Sequence, residues 1–315
     1  MTTFDLQVLP PFNLAITAEI LRRRQNHMAE VVVDGEFFHV FDVLGQLTLL
    51  AVRQKAADVL QVRSPGRDLS SSEMAAAQSA VTRLLGVEFD IVPLMVALER
   101  EPVVYELATR LAGLRPPRFE TLWQALLGVV PFQQVSLAAG TSMVNRLVQS
   151  VGSAYTADNV TCFAYPSPET FLAAGEQTIR ACGFSGAKTR TLLAAASVIV
   201  DGSLNELELE SLSDEDAIAR LVRLPGIGRW SAQVLLLRGF RRLAIFPQGD
   251  SGASRTIYQF LAENPPGTER TADDLLDRLG EYRGYLYFLL LGWRLLRTGV
   301  IAPHEDISLI APTPG

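Results

Sequence analysis

The sequence predicts an α+β fold: a small N-terminal antiparallel sheet with one helix over residues 1–67, then a mostly α-helical region over residues 68–315 that contains a helix-hairpin-helix. Three observations carry this. The first 65 residues or so are rich in β-branched and aromatic residues and include an Asp34-Gly35 pair suited to a tight hairpin. Beyond Ser64-Pro65-Gly66-Arg67 the pattern changes to apolar helical stretches separated by Pro, Gly and Ser. Late in the chain, Leu224-Pro225-Gly226-Ile227-Gly228 joins two such stretches. With 315 residues, 48% hydrophobic and 20% charged, the chain can bury a sizeable core, and two or three domains are expected.

Taken in order, residues 4–9 alternate as a strand before Pro10-Pro11, and residues 14–25 read as a short helix ending in Arg22-Arg23-Arg24. Strands are expected at 29–33 and 36–43, meeting at the Asp34-Gly35 turn, and again at 46–53 and 59–63. Ser70 and Glu73 have the spacing of a capping box ahead of a helix over 74–85. From there almost only helices are expected, at 102–112, 119–130, 137–151, 170–181 and 189–201, with capping signals at 213–216 and 271–274. We expect this region to form two helical lobes with a cleft between them.

Several chemistries find no support. Cys162 and Cys182 are too few for a disulfide scaffold or a four-cysteine cluster, which points to a reducing compartment. His27, His39 and His304 show no zinc spacing. The N-terminus lacks the pattern of a signal peptide, and the longest apolar run, residues 285–293, is too short to span a bilayer. A cytoplasmic protein with no membrane partner is expected.

The formal net charge of −6 does not favour a nucleic-acid partner, but binding depends on the local field. Between Arg220 and Arg255 the only acid is Asp250, against seven arginines: Arg220, Arg223, Arg229, Arg238, Arg241, Arg242 and Arg255. That run is either a basic binding face or a solvated helix surface. Two glycines flanking one apolar residue make a turn whose backbone N–H groups can point outward together and hold an anion. Between two helices, such a turn can grip one phosphate of a duplex without reading bases. It can equally be an ordinary loop between core helices.

The hairpin is followed by Phe246-Pro247-Gln248-Gly249-Asp250, and this arrangement resembles the signature of the helix-hairpin-helix DNA glycosylase superfamily. Residues 123–139, WQALLGVVPFQQVSLAA, are similar to the family's helix and Gln-Gln-Val/Ile-Ser stretch at the lesion site. Residues 180–190, RACGFSGAKTR, resemble its Gly-Leu/Phe-Ser-x-x-Lys junction, and Tyr282-Arg283-Gly284-Tyr285 its C-terminal Arg bracketed by aromatics. Together with the N-terminal sheet, this is similar to the 3-methyladenine DNA glycosylase II branch over most of the chain.

The resemblance implies an enzyme that flips a damaged base out of double-stranded DNA and hydrolyses its N-glycosidic bond, leaving an abasic site. Asp250 matches the catalytic aspartate, where a carboxylate stabilises oxocarbenium-like charge on the sugar and orients water. As a preferred N-cap, it could also simply start the helix near Ser251. Trp230 stands where strand-cutting relatives carry a nucleophilic lysine, which implies a monofunctional enzyme. Its ring could face an N-alkylated purine cation, or belong to the core.

Tyr282 and Tyr285 are expected to share the base pocket. Val234 replaces a family aromatic one turn past Trp230, so that pocket is less aromatic than in some relatives. Gln134, ahead of Gln133, is expected to be the wedge that fills the gap left in the duplex. Gly226 and Gly228 through their backbone, with Arg229, Arg255 and Lys188, are the expected phosphate partners.

No organic cofactor and no iron–sulfur cluster are expected, although the resemblance leaves room for a monovalent cation on hairpin carbonyls. The partner implied is duplex DNA containing damaged bases, bound by a monomer. Alkylated purines of the 3-methyladenine type are the expected substrates. An 8-oxoguanine-type or mismatch-type glycosylase, or a non-catalytic helix-hairpin-helix module, are the alternatives, and a carboxylate at position 250 separates the last from the enzymes.

Overall fold

The computed structural model of the chain describes residues 1–247, 249–264 and 271–303, with Ser251 described by its backbone alone. Gln248 and His304, both singled out above, lie outside the described residues.

The chain opens with β1 (Thr2–Gln7), α1 (Leu14–Arg22), β2 (Glu30–Val33), β3 (Glu36–Val43), β4 (Gln46–Ala56) and β5 (Val59–Ser64). The strands form one antiparallel sheet in the order β1-β5-β4-β3-β2. At its β2–β3 turn, Asp34 and Gly35 both take left-handed backbone conformations, with φ of 50° and 74°, as a two-residue turn matched to strand twist requires. The period of two divides the strand residues between two faces. Phe37, Phe41, Leu50, Leu60 and Val62 pack against Leu14 and Leu21 of α1 and against Ala77, Val81 and Leu84 of α2 (Ser71–Leu85). A capping box is formed at Ser70 and Glu73, as their spacing predicts.

The opposite face, with Phe38, Val40, Leu49 and Ala51, is covered by Val160 and Cys162. These belong to a second hairpin, β6 (Ala154–Ala157) and β7 (Val160–Phe163), which sits inside a region read from sequence as almost wholly helical. Its turn is Asp158-Asn159, both left-handed.

The remaining elements are helical: α3 (Val92–Leu98), α4 (Pro102–Arg110), α5 (Leu122–Val129), α6 (Leu137–Val151), α7 (Pro168–Ala181), α8 (Gly186–Val200), α9 (Glu206–Ser211), α10 (Asp214–Val222), α11 (Arg229–Phe240), α12 (Ser251–Glu263), α13 (Ala272–Leu279) and α14 (Arg283–Arg297). A 3-10 turn, Val130–Phe132, links α5 to the loop before α6, and a second, Gly280–Tyr282, leads into α14. One core gathers residues of α5–α8, α10 and α11, and another gathers Ile16 and Ile20 of α1 with residues of α3, α4 and α12–α14. Helix α11 contributes to both, and every residue of it from Ser231 onward is buried. A helix buried all round is a central pillar, and its two ends fix what attaches there.

Candidate active site

Between the two helical cores lies a cleft of about 1690 Å³, bordered by α1, the 3-10 turn, the hairpin, the loop before α12, and α14. The hairpin joins α10 to α11 through Gly226, whose φ is +80°. A Cβ there would lie 2.0 Å from Thr191 Oγ1 on α8, so both conformation and space demand glycine. Gly228 is the N-cap of α11 and places no side chain on the helix end, so first-turn N–H groups stay open toward the cleft. Leu224 O accepts from Ile227 N at 3.1 Å, and Gly226 O accepts from Gln133 Nε2 at 3.1 Å. A cation on these hairpin carbonyls would share both with N–H donors. Among the described residues, no group of three or more His, Cys, Asp or Glu side chains could hold a metal ion.

Asp250 starts α12 and borders the cleft, half-buried. Its Oδ1 accepts from Gly252 N at 2.9 Å and Ala253 N at 2.8 Å, and its Oδ2 accepts from Trp230 Nε1 at 3.0 Å. The N-cap reading of this residue therefore holds, and it leaves the outward side of the carboxylate free. The indole N–H is tethered edge-on to the carboxylate, while the partly buried ring packs against the core and lines the cleft. First-turn positions of α11 and the N-cap of α12 thus meet through a single hydrogen bond.

The two glutamines separate. Gln133 Nε2 also donates to Ser231 Oγ at 2.8 Å, tying its loop to the hairpin. Gln134 is exposed, with φ at +54°. A non-glycine residue held in that region is strained, and such strain gathers where a side chain must be aimed.

The expected phosphate partners divide as well. Arg255 is exposed beside the cleft. Arg229 is engaged with Glu215 of α10 through two hydrogen bonds of 2.9 and 2.7 Å. Lys188 is corrected: its side chain is buried, burial draws its pKa down, and Nζ donates to Pro131 O at 2.8 Å. It holds the 3-10 turn against α8 and does not reach for phosphate.

Tyr285 is likewise corrected, being 1% exposed, with its hydroxyl donating to Leu114 O at 3.1 Å. Tyr282 packs against the same core and does not border the cleft. The tyrosine that does is Tyr287, on the α14 stripe that continues through Leu290, Leu291 and Arg294. On a helix, positions two apart face opposite ways, so a cleft-facing stripe through 294 and 290 selects 287 over 285.

Most of the arginine run is spent on holding the fold. Arg220 pairs with Glu208, Arg242 with Asp214 and Arg241 with Glu88, while Arg238 is buried. The exposed cations at the cleft are Arg24, Arg255 and Arg294, two of them from outside that run. They give the cleft a positive rim on a chain whose net charge is −6. Among the described residues, no helix is long and apolar enough to cross a membrane.

Residues 127–281 match the model of the HhH-GPD superfamily of base excision DNA repair proteins. The Bacillus subtilis protein YfjP is 30% identical over 176 residues, 55% of this chain and 58% of that one. DNA-3-methyladenine glycosylase 2 of Escherichia coli is 30% identical over 142 residues, 44% of this chain and 48% of that one. The chain thus spans about half the length of these curated relatives. In fold, it is similar to the 3-methyladenine DNA glycosylase of Archaeoglobus fulgidus, with a TM-score of 0.77 at 19% identity, covering 95% of this chain and 99% of that one.

Proposed function

Since residues 127–281 form a domain of the HhH-GPD superfamily of base excision DNA repair proteins, we propose that this chain is a monofunctional DNA glycosylase that releases alkylated purines of the 3-methyladenine type from duplex DNA. The observation that carries the reading is the Asp250 carboxylate, fixed by three N–H donors at the lip of a cleft, beside a helix end whose N–H groups are open. The hairpin and Arg255 hold backbone phosphates, Gln134 enters the stack, and the extruded nucleotide puts its base in the cleft against Trp230. Flipping costs about a few kcal/mol, least for a damaged pair.

As the C1′–N bond lengthens, positive charge grows on the sugar, and a preorganised carboxylate stabilises it without moving. Water then adds to C1′, leaving an abasic site. Water is favoured as nucleophile because position 230 is tryptophan and the one lysine bordering the cleft, Lys188, is bonded to Pro131 O.

Asp250→Asn tests the assignment, because asparagine is as good an N-cap as aspartate; it removes the charge and, with an NH2 in place of Oδ2, the acceptor for Trp230 Nε1. The variant should stay folded with at most a small drop in melting temperature, keep its affinity for lesion-bearing duplex, and lose about 100-fold or more in single-turnover release of 3-methyladenine. Release at the parental rate would sink the assignment. Borohydride should trap no covalent DNA adduct with the parental protein, and a strong adduct would overturn the monofunctional reading.

A further inference from the structure

Six consecutive residues, Gln134 to Ala139, are exposed, and four of them, Val135, Leu137, Ala138 and Ala139, are apolar. Val135 is 40% exposed and Leu137 36%, and both border the cleft. A well-formed backbone holds them there. Ser136 caps α6, its Oγ accepting from Ala139 N at 3.2 Å, and the hydroxyls of Thr141 and Ser142 donate back to Leu137 O and Ala138 O, each at 2.9 Å. The turn before it is fastened from below. Lys188 Nζ donates to Pro131 O, and Arg23 Nη1 donates to Gly128 O at 3.0 Å with its guanidinium 4.9 Å from the centre of the Phe132 ring. Phe132 is turned onto the core and onto Gly140, where a Cβ would lie 2.3 Å from its ring. The loop thus commits one large apolar side chain to the interior and keeps two in water.

Apolar side chains held together in water mark a contact surface. Their surroundings say what kind. Among the residues bordering the cleft, the exposed cations are Arg24, Arg255 and Arg294, and the acids are Asp250 and Glu19, the latter buried against Arg22. A partner that answers both features is anionic along its edges and apolar between them. The minor groove of a DNA duplex has that form, since two phosphate chains flank walls made of deoxyribose carbons, and apolar side chains enter it between base steps. An A-form duplex differs there, because its wide, shallow minor groove displays 2′-hydroxyls. Gln133 ties this loop to the hairpin through Gly226 O and Ser231 Oγ, so the apolar surface continues the one that faces a phosphate.

We propose that Val135 and Leu137 form an apolar pad that seats on deoxyribose in the minor groove beside the extruded nucleotide, and that this pad makes the chain reject duplexes carrying 2′-hydroxyls at those positions. The inference rests on the glycosylase reading above, in which Gln134 enters the stack next to the pad. A hydroxyl pressed against valine and leucine loses its water and gains no partner, and each one so buried weakens binding by about tenfold. The discrimination comes from the sugars around the gap and is independent of which base is released.

The test uses a duplex with a tetrahydrofuran abasic analogue at its centre. It is made all of DNA, or with a short run of ribonucleotides either opposite the analogue or flanking it, so that hydroxyls are added while the rest of the duplex stays DNA. Affinity is measured for the whole chain, for the double variant Val135→Ser with Leu137→Ser, and for Leu137→Met. The parental protein should bind at least one ribonucleotide-bearing duplex about tenfold or more weakly than the DNA duplex. The double variant should bind the DNA duplex less tightly and bring that ratio to within about threefold, and Leu137→Met, which stays apolar, should keep the parental ratio. Equal parental affinity for all the duplexes overturns the proposal. So does a double variant that keeps the parental ratio. Both side chains are exposed, so the double variant should melt close to the parental protein; where it does not, Leu137→Ser alone is judged by the same ratio. Release of 3-methyladenine from methylated DNA is followed in parallel. Its absence in the parental protein overturns the glycosylase reading, whereas the affinity ratio decides the pad in either case.

Discussion

Asp250 divides its two oxygens between separate tasks, Oδ1 on the first N–H groups of α12 and Oδ2 on the indole of Trp230. Sequence alone allows both capping and catalysis at this residue, because both favour aspartate. The geometry makes them complementary: the cap fixes the rotamer, and a fixed carboxylate is what charge stabilisation needs. Gly226 is the second residue with a double constraint, and it carries its own prediction. Gly226→Ala should destabilise the fold by about 1–3 kcal/mol through left-handed strain, with further loss from the collision with Thr191 Oγ1. Adding Thr191→Ala should recover only part of the drop in melting temperature, because it frees the space and leaves the strain. Full recovery would show that crowding alone requires the glycine.

At the scale of elements, long helices and the five-stranded sheet were legible, since period and capping repeat enough to be read. The short pieces were not. The hairpin of β6 and β7 has four-residue strands of mixed composition, and its only strong signal is the Asp158-Asn159 turn. The site followed the same rule: residues fixed by local motif, Trp230 and Asp250, came together, whereas Lys188 and Tyr285 depended on which way one helix face turns. Tyr287 could have been found by extending the stripe back from Arg294.

On the reading proposed above, the hairpin and the start of α12 also carry the charge that would meet DNA. Arg255 is exposed there, while Arg229 is paired with Glu215. Arg255→Gln should therefore lower the slope of log affinity against log salt by about 1. Arg229→Gln should change it less, and the reverse order would show that Arg229 exchanges its partner on binding.

Across the whole molecule, the sheet is joined to the helical body by a buried ionisable cluster. His27 Nδ1 lies 2.5 Å from Glu30 Oε2, the Tyr165 hydroxyl donates to Glu30 Oε1 at 3.0 Å, and His39 lies 3.7 Å from Glu120. Burial opposes ionisation of Glu30, yet His27, His39 and Tyr165 together hold its pKa below the ordinary 4.5. Burial likewise opposes the charged form of His39, yet Glu120 and Glu30 raise its pKa above 6.5.

The signs differ. The lowered carboxyl contributes stability that is present above pH 4.5 and lost as pH falls through its folded value. The raised imidazole contributes stability present below pH 6.5 and lost as pH rises through its folded value. Melting temperature should therefore peak between these limits, and His39→Asn should flatten the alkaline decline. An unchanged alkaline limb in that variant would remove His39 from the account.

One contact reaches further than its size suggests. Because the Gln133 amide clasps both Gly226 O and Ser231 Oγ, the loop carrying Gln134 and the hairpin turn are tied together. If Gln134 is the wedge and the turn the phosphate grip, as proposed above, the span between them is set before a duplex arrives, and the protein acts as a caliper whose preset gap favours the steps that yield to it.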